Sequence, residues 1–259
     1  MISLHKYLSK LILASTILLS SCEKDDYINS NHVGPIGEVS LEYVYLNGEF
    51  EGRIEYHYDI QYDRLKEKLY YDENNNYKAK EEYSYNESGE VSSVYRRNPN
   101  SEIISFSNNT YTDGQLSQQI SLDSIYHHYH FSYENGLLTK ITDNNDSQDY
   151  FENIEYLVNT NDIYRRWKYT PDSSLIEYTI NTEYSNGYLK RSTYNSINEM
   201  TKWSVEQLNG SKKTIEHFDN SGNLLRKETW KHSGEDVTEY LITNQNDIEV
   251  YKIEYHYFN

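Results

Sequence analysis

Apolar and polar residues alternate along most of this chain, with the two-residue period of a strand that turns one face toward a core. Arg53-Ile54-Glu55-Tyr56-His57-Tyr58 sets isoleucine and tyrosines against charge, and Lys252-Ile253-Glu254-Tyr255-His256-Tyr257 repeats the arrangement near the other end. Composition sharpens the expectation. The chain holds 29 tyrosines, and after residue 21 only one alanine, Ala79, and one methionine, Met200. Tyrosine favours strands and alanine favours helices, so the predicted fold class is all-β.

Between the strands one motif recurs: an aromatic residue, a turn, then Gly-x-apolar. Its short form is Tyr45-Leu46-Asn47-Gly48-Glu49-Phe50, and it returns at Tyr111 to Leu116, Tyr133 to Leu138 and Tyr184 to Leu189. Asn-Gly and Asp-Gly suit two-residue type I′ hairpins, in which both central residues need positive φ. A longer form adds one residue, in Tyr85 to Val91 and in Phe218 to Leu224, where the glycine supplies a left-handed position after a type I turn. Degenerate copies place asparagine there, at Asn75, Asn161, Asn198 and Asn246. Most markers lie 22 to 27 residues apart, so a unit of about 24 residues holds two strands and two turns. The array reads as a meander of hairpins.

The longer form, Phe218-Asp219-Asn220-Ser221-Gly222-Asn223-Leu224 above all, resembles the Tyr-Asp-x-x-Gly-x-Leu repeat of RHS and YD-repeat proteins. That resemblance spans Tyr43 to Tyr257 and implies strand-turn-strand units added side by side. The expected architecture is one long antiparallel sheet that twists and curls on its tyrosine-lined face. RHS proteins often carry a toxin domain after the repeats, and none is expected in the segment ending at Asn259.

The N-terminus carries a different signal. Lys6 and Lys10 precede an apolar run, Leu11 to Leu19, that is too short to span a bilayer, and Leu19-Ser20-Ser21-Cys22 follows. Cys22 is the only cysteine. The segment resembles a bacterial lipobox, which implies lipidation at Cys22 and an anchor in the outer membrane. Lys24-Asp25-Asp26 resembles the acidic export signal of surface lipoproteins and implies exposure on the cell exterior. The expected division is a signal peptide over 1–21, a lipidated tether over 22–37 and a repeat domain over 38–259. Removing Lys6 and Lys10 with the signal takes the net charge from −17 to −19. Such a chain repels phosphate backbones, so nucleic acid is not an expected partner. With one cysteine there is no internal disulfide, and stability must come from packing and hydrogen bonds.

Chemistry is harder to read. The P-loop, Gly-x-Gly-x-x-Gly, Gly-x-Ser-x-Gly and His-Glu-x-x-His patterns are absent. Asp143 to Asp149 places oxygen ligands at alternate positions but lacks the EF-hand glycine and its final acid, so it reads as a polar hairpin tip. His128 and His130 share a strand face without a visible third ligand, and neither a metal nor another cofactor is assigned. Trp167, Trp203 and Trp230 are candidates for stacking on sugars or partner surfaces. No catalytic residue is assigned. The chain reads as a non-enzymatic surface module or scaffold for glycan or protein partners. The alternative is a polysaccharide hydrolase or lyase, which would need paired carboxylates, or a tyrosine and a histidine, in a groove.

Overall fold

The computed structural model describes residues 37–144, 150–156, 163–183 and 188–258. They form eighteen strands: β1 (Val39–Leu46), β2 (Glu49–Asp59), β3 (Arg64–Asp72), β4 (Tyr77–Tyr85), β5 (Val91–Arg97), β6 (Ile103–Thr112), β7 (Gln115–Leu122), β8 (Tyr126–Glu134), β9 (Leu137–Asp143), β10 (Tyr150–Tyr156), β11 (Ile163–Tyr169), β12 (Leu175–Glu183), β13 (Tyr188–Asn195), β14 (Met200–Asn209), β15 (Lys212–Asp219), β16 (Leu224–Ser233), β17 (Asp236–Asn244) and β18 (Glu249–Tyr257). Each pairs antiparallel with its neighbours in sequence, and no helix occurs among the described residues.

The all-β meander is present, but the sheet is not open. β1 pairs with β2 on one side and with β18 on the other, Val44 facing Gly52 and Ile253, so the sheet closes into an eighteen-stranded barrel. Closure corrects the expectation of a long curled sheet, and its cause is physical. An open meander leaves two edges of unpaired N–H and C=O groups, and joining them removes both. Barrels of this strand number are wide enough to enclose water. Each strand comes within 8 Å, Cα to Cα, of its two hydrogen-bonded neighbours and of no other described strand.

Register fixes which face points inward. Followed around the ring, one face runs Glu42, Ile54, Tyr70, Ala79, then Ser121, Asp143, Ile154, Thr193, Ser204, Tyr240 and Ile253, back to Val44. Among the described residues it carries twelve of the fourteen buried side chains, which makes it the lumen face. Only five of those fourteen are hydrophobic, so the described inner wall forms no oily core.

The turns sort by rim. The first and last described residues lie at one rim, here the near rim, where Gly37 donates to Phe258 and Phe258 to Glu38. At the far rim, five-residue turns dominate. Asp72, Asn195 and Asp219 each receive the backbone N–H groups two and four residues ahead on one side-chain oxygen. The predicted I′ turns hold at Asn47-Gly48, Asp113-Gly114 and Asn135-Gly136, where both residues have positive φ. Asn75, Asn198, Gly89 and Gly222 also sit left-handed as expected, but in the last turn the left-handed residue is Asp247 rather than Asn246. Ser101 and Ser173 fill the same place in turns that the motif does not mark. The Asn186-Gly187 marker and the Asn161 copy fall outside the described residues.

Successive turns occupy opposite rims, and a half-turn about the in-plane axis perpendicular to the strands carries one into the next while exchanging the two faces. One motif therefore points its aromatic outward at the far rim and inward at the near rim. Tyr45, Tyr71, Tyr169, Tyr194 and Phe218 lie on the outer face, each at a bulge opposite Phe50, Tyr77, Leu175, Met200 and Leu224. Tyr58, Tyr85, Tyr111, Tyr133, Tyr156 and Tyr257 lie on the inner face, and each hydroxyl donates to a backbone carbonyl at the start of the preceding strand, 2.6 to 3.1 Å away. These six latches repeat around the near rim. At Gly52 the sheet approaches itself so closely that a Cβ would stand 2.1 Å from the Tyr71 carbonyl oxygen.

Candidate functional site

Alternation places polar chemistry on the inner wall because every second residue must face the lumen. Four carboxylates there are held by tyrosine hydroxyls, histidines and cations. Glu42 accepts from Tyr56, and Glu81 accepts from Tyr83 at 3.0 Å, with Lys68 lying over the Tyr56 ring at 4.6 Å. Glu81 is 2 % exposed and Lys68 5 %. Burial, reinforced by the glutamates, drives Tyr56, Tyr70 and Tyr83 well above the ordinary phenol pKa of 10.0, so all three remain donors at physiological pH. Burial also raises Glu42, against the pull of Lys68 and Tyr56. On the next part of the wall Asp143, with no exposed surface, meets His127 Nδ1 at 2.7 Å, and the His127 and Tyr129 rings stack at 5.2 Å. Ser121 is the cross-strand neighbour of His127, but the histidine bonds to Asp143, so this is an anchored pair rather than an activated nucleophile. On β15 to β17, Glu228 receives Tyr240 at 3.0 Å and lies 2.7 Å from Arg226 and 2.8 Å from His217 Nε2. Burial alone would raise Glu228, and His217 and Arg226 instead hold it below its ordinary 4.5.

From β10 to β13 the inner wall sinks into a cavity of about 310 Å³. Short polar side chains line it: Asn181, and Thr179, whose hydroxyl lies 3.3 Å from that of Thr193 on the neighbouring strand. Its walls are long and charged. Arg166 pairs with Glu152, Arg191 Nε donates to Asn181 at 3.1 Å, and Lys168 lies 3.8 Å over the Tyr150 ring. Register sets Glu152, Lys168 and Glu177 in one cross-strand row.

The predicted stacking residues are not brought together. Trp167 and Trp203 stand on the outer face, Trp203 against Phe218 at 4.0 Å, while Trp230 points inward against Tyr240 at 4.9 Å. His128 and His130 do share the outer face, with rings 4.3 Å apart. Asp143, read as part of a hairpin tip, ends β9 inside the wall, and 145–149 fall outside the described residues. Cys22, Lys24, Asp25 and Asp26 also lie outside them. The cavity itself escaped sequence reading, because Arg166, Lys168, Thr179 and Arg191 meet only once register is known. The Lys-Arg content around Trp167 was its one visible trace.

The outer wall is built from ion pairs. Arg53 with Glu55, Lys80 and Arg97 with Glu82, Lys227 with Glu216, Lys231 with Glu239, and Lys252 with Glu254 all lie on it, at 2.6 to 3.0 Å. Of the fourteen exposed large hydrophobic side chains among the described residues, eleven cluster at the far rim, Phe50, Tyr77, Ile103, Ile197 and Ile248 among them.

No family profile and no curated protein matches the chain. Among solved structures, a porin-like protein from Bacteroides uniformis aligns over 88 % of this chain and 100 % of its own, with 10 % identity and a TM-score of 0.43. A porin-like protein from Bacteroides vulgatus aligns over 85 % and 98 %, with 8 % identity and a TM-score of 0.40. A TcdB2-TccC3-TEV structure aligns over 81 % of this chain at 14 % identity and a TM-score of 0.41, and this chain spans 14 % of its length.

Proposed function

We propose that this protein is a lipid-anchored barrel of the outer cell surface that binds glycan in its lumen, and that it is not a transmembrane pore. The observation that carries the reading is the contrast between its walls. A lipid-facing barrel wall needs an apolar band about 25 Å tall, and each Lys or Arg at the bilayer midplane costs about 2–4 kcal/mol. Here the outer face carries mid-strand pairs such as Lys80 with Glu82 and Lys252 with Glu254, which suit water. The inner face combines tyrosine, hydroxyl and ion-paired groups, the lining of a site for a polar ligand with aromatic complementarity. The tether from Cys22 would leave from the near rim, where Gly37 lies, turning the far rim away from the membrane.

A glycan array probed with the protein lacking residues 1–22 tests the binding claim, and absence of any saccharide binding would overturn it. Cys22→Ser should abolish fatty-acid labelling, and alanine at Lys24, Asp25 and Asp26 should reduce cleavage by protease added to intact cells. A polysaccharide hydrolase is the second reading, favoured by Glu152 and Glu177 lining one cavity. Glu152 is engaged in the ion pair with Arg166 rather than presented to a leaving group, and release of reducing ends on incubation with the bound glycan would reverse the preference.

A further inference from the structure

We infer that the hollow between β10 and β13 is a subsite for one carboxylate-bearing sugar unit, the uronic acid of an oligosaccharide. This deepens the glycan-binding reading and rests on it. Two cations in the hollow, Lys168 and Arg191, have no carboxylate partner within ion-pair distance among the described residues, whereas Arg166 beside them is neutralised by Glu152. Arg191 spends Nε on Asn181, and its terminal nitrogens have no described partner, so the part of the guanidinium that forks onto a carboxylate is uncommitted. Thr179, which lines the hollow, supplies a hydroxyl that can donate and accept, which matches a sugar ring better than it matches an apolar acid. Glu177, also at the hollow, can accept from sugar hydroxyls. A volume of about 310 Å³ is at the lower end for a small-molecule site and admits one or two sugar units rather than a long chain.

Electrostatics select the same size of ligand. The chain carries −17 overall, so a polyanion laid across it meets repulsion at many points. A single carboxylate inside the hollow meets the open fork of Arg191, and the cations lining the hollow, Arg166, Lys168 and Arg191, outnumber its acids, Glu152 and Glu177, while acids farther than about 8 Å are screened at physiological salt. The site therefore suits a short or terminal acidic sugar and disfavours an extended polyanion.

Titration calorimetry with digalacturonate, the neutral disaccharide lactose, and sodium sulfate at matched ionic strength tests the assignment. Digalacturonate should bind at least about tenfold tighter than lactose and sulfate, and Lys168→Gln with Arg191→Gln should remove that advantage while thermal unfolding stays cooperative. The single variant Arg191→Lys separates loss of charge from loss of the fork, and it should recover only part of the affinity. Equal affinity for lactose and digalacturonate, sulfate binding as tight as digalacturonate, or a folded double variant that still prefers digalacturonate would each overturn the subsite. Binding of lactose alone would sink the acidic-sugar assignment and leave the glycan reading standing. Failure of every saccharide would sink both.

Discussion

The lumen has two unlike walls built on one backbone. From β17 through the seam of β18 and β1 and on to β10, the inner face is lined by Tyr56, Tyr70, Tyr83, Tyr129, Tyr150, Tyr240, Tyr251 and Tyr255, with Lys68 and Arg96 as its cations. From β11 to β16 no described inward side chain is a tyrosine, and Arg166, Lys168, Arg191, Lys202, Lys213 and Arg226 take their place. The hairpin grammar is the same on both sides: bulge, left-handed turn residue, paired apolar residue. What differs is confined to alternate strand positions that do not enter the turns. Fold and lining are thus specified by separate residues, and the lining can change while the ring is kept.

The sharpest way to break the comparison is to open the ring. Deleting residues 249–258 removes β18 and leaves β1 and β17 with unpaired edges, and cooperative unfolding should be lost, with association visible by light scattering. Excision of residues 187–210 removes two adjacent strands, and the remaining sixteen can re-pair in the same sense, so circular dichroism should still report strand with a lower melting temperature. If both deletions melt alike, closure contributes nothing.

A second effect separates the walls by how they hold charge. Asp143→Ala leaves His127 without its buried partner on the tyrosine side and should cost about 1–3 kcal/mol in denaturant unfolding. Lys202→Ala, on the cation side and largely exposed, should cost less than about 1 kcal/mol. Equal costs would show that the two walls are held together alike.

The walls should also answer pH with opposite signs. Glu228 titrates below its ordinary 4.5 when folded, so its stabilising effect is present above 4.5 and is lost as pH falls through the folded value. Glu42 titrates above 4.5 when folded, so its contribution is full below 4.5 and is lost as pH rises through the folded value. Melting temperatures between about pH 3 and 7 should therefore lose acid sensitivity in Glu228→Gln and lose part of the decline toward neutrality in Glu42→Gln. Parallel curves for the two variants would contradict the assignment. The smallest effect belongs to the rim. Tyr133→Phe removes one latch and should cost about 1 kcal/mol, the net worth of a hydrogen bond, without altering either wall.

Much of this was legible in the sequence because strand period and turn residues act locally. Asn47-Gly48, Asn135-Gly136 and Gly222 mark their turns by backbone demands that few residues meet. The turns at Ser101 and Ser173 were missed because serine is a poor marker of positive φ, held there by the Asn98 and Thr170 side chains. Closure was not legible, since the pairing of Val44 with Ile253 joins residues at opposite ends of the chain and depends on curvature summed over every strand. The site was hidden for the same reason: Glu152, Lys168 and Glu177 become one row only when two registers are fixed at once.

The hydrogen bonds that join Gly37 and Glu38 to Phe258 put the first and last described residues side by side. A ring whose ends already touch has no privileged starting point. Linking the two ends through a short Gly-Ser connector and cutting the chain instead at Asn47-Gly48, at the far rim, would give a circular permutant with every ladder intact. The position of the termini, and with it the place where an anchor attaches, is then a freedom of this architecture: a lipid could be hung from either rim without redesigning the wall.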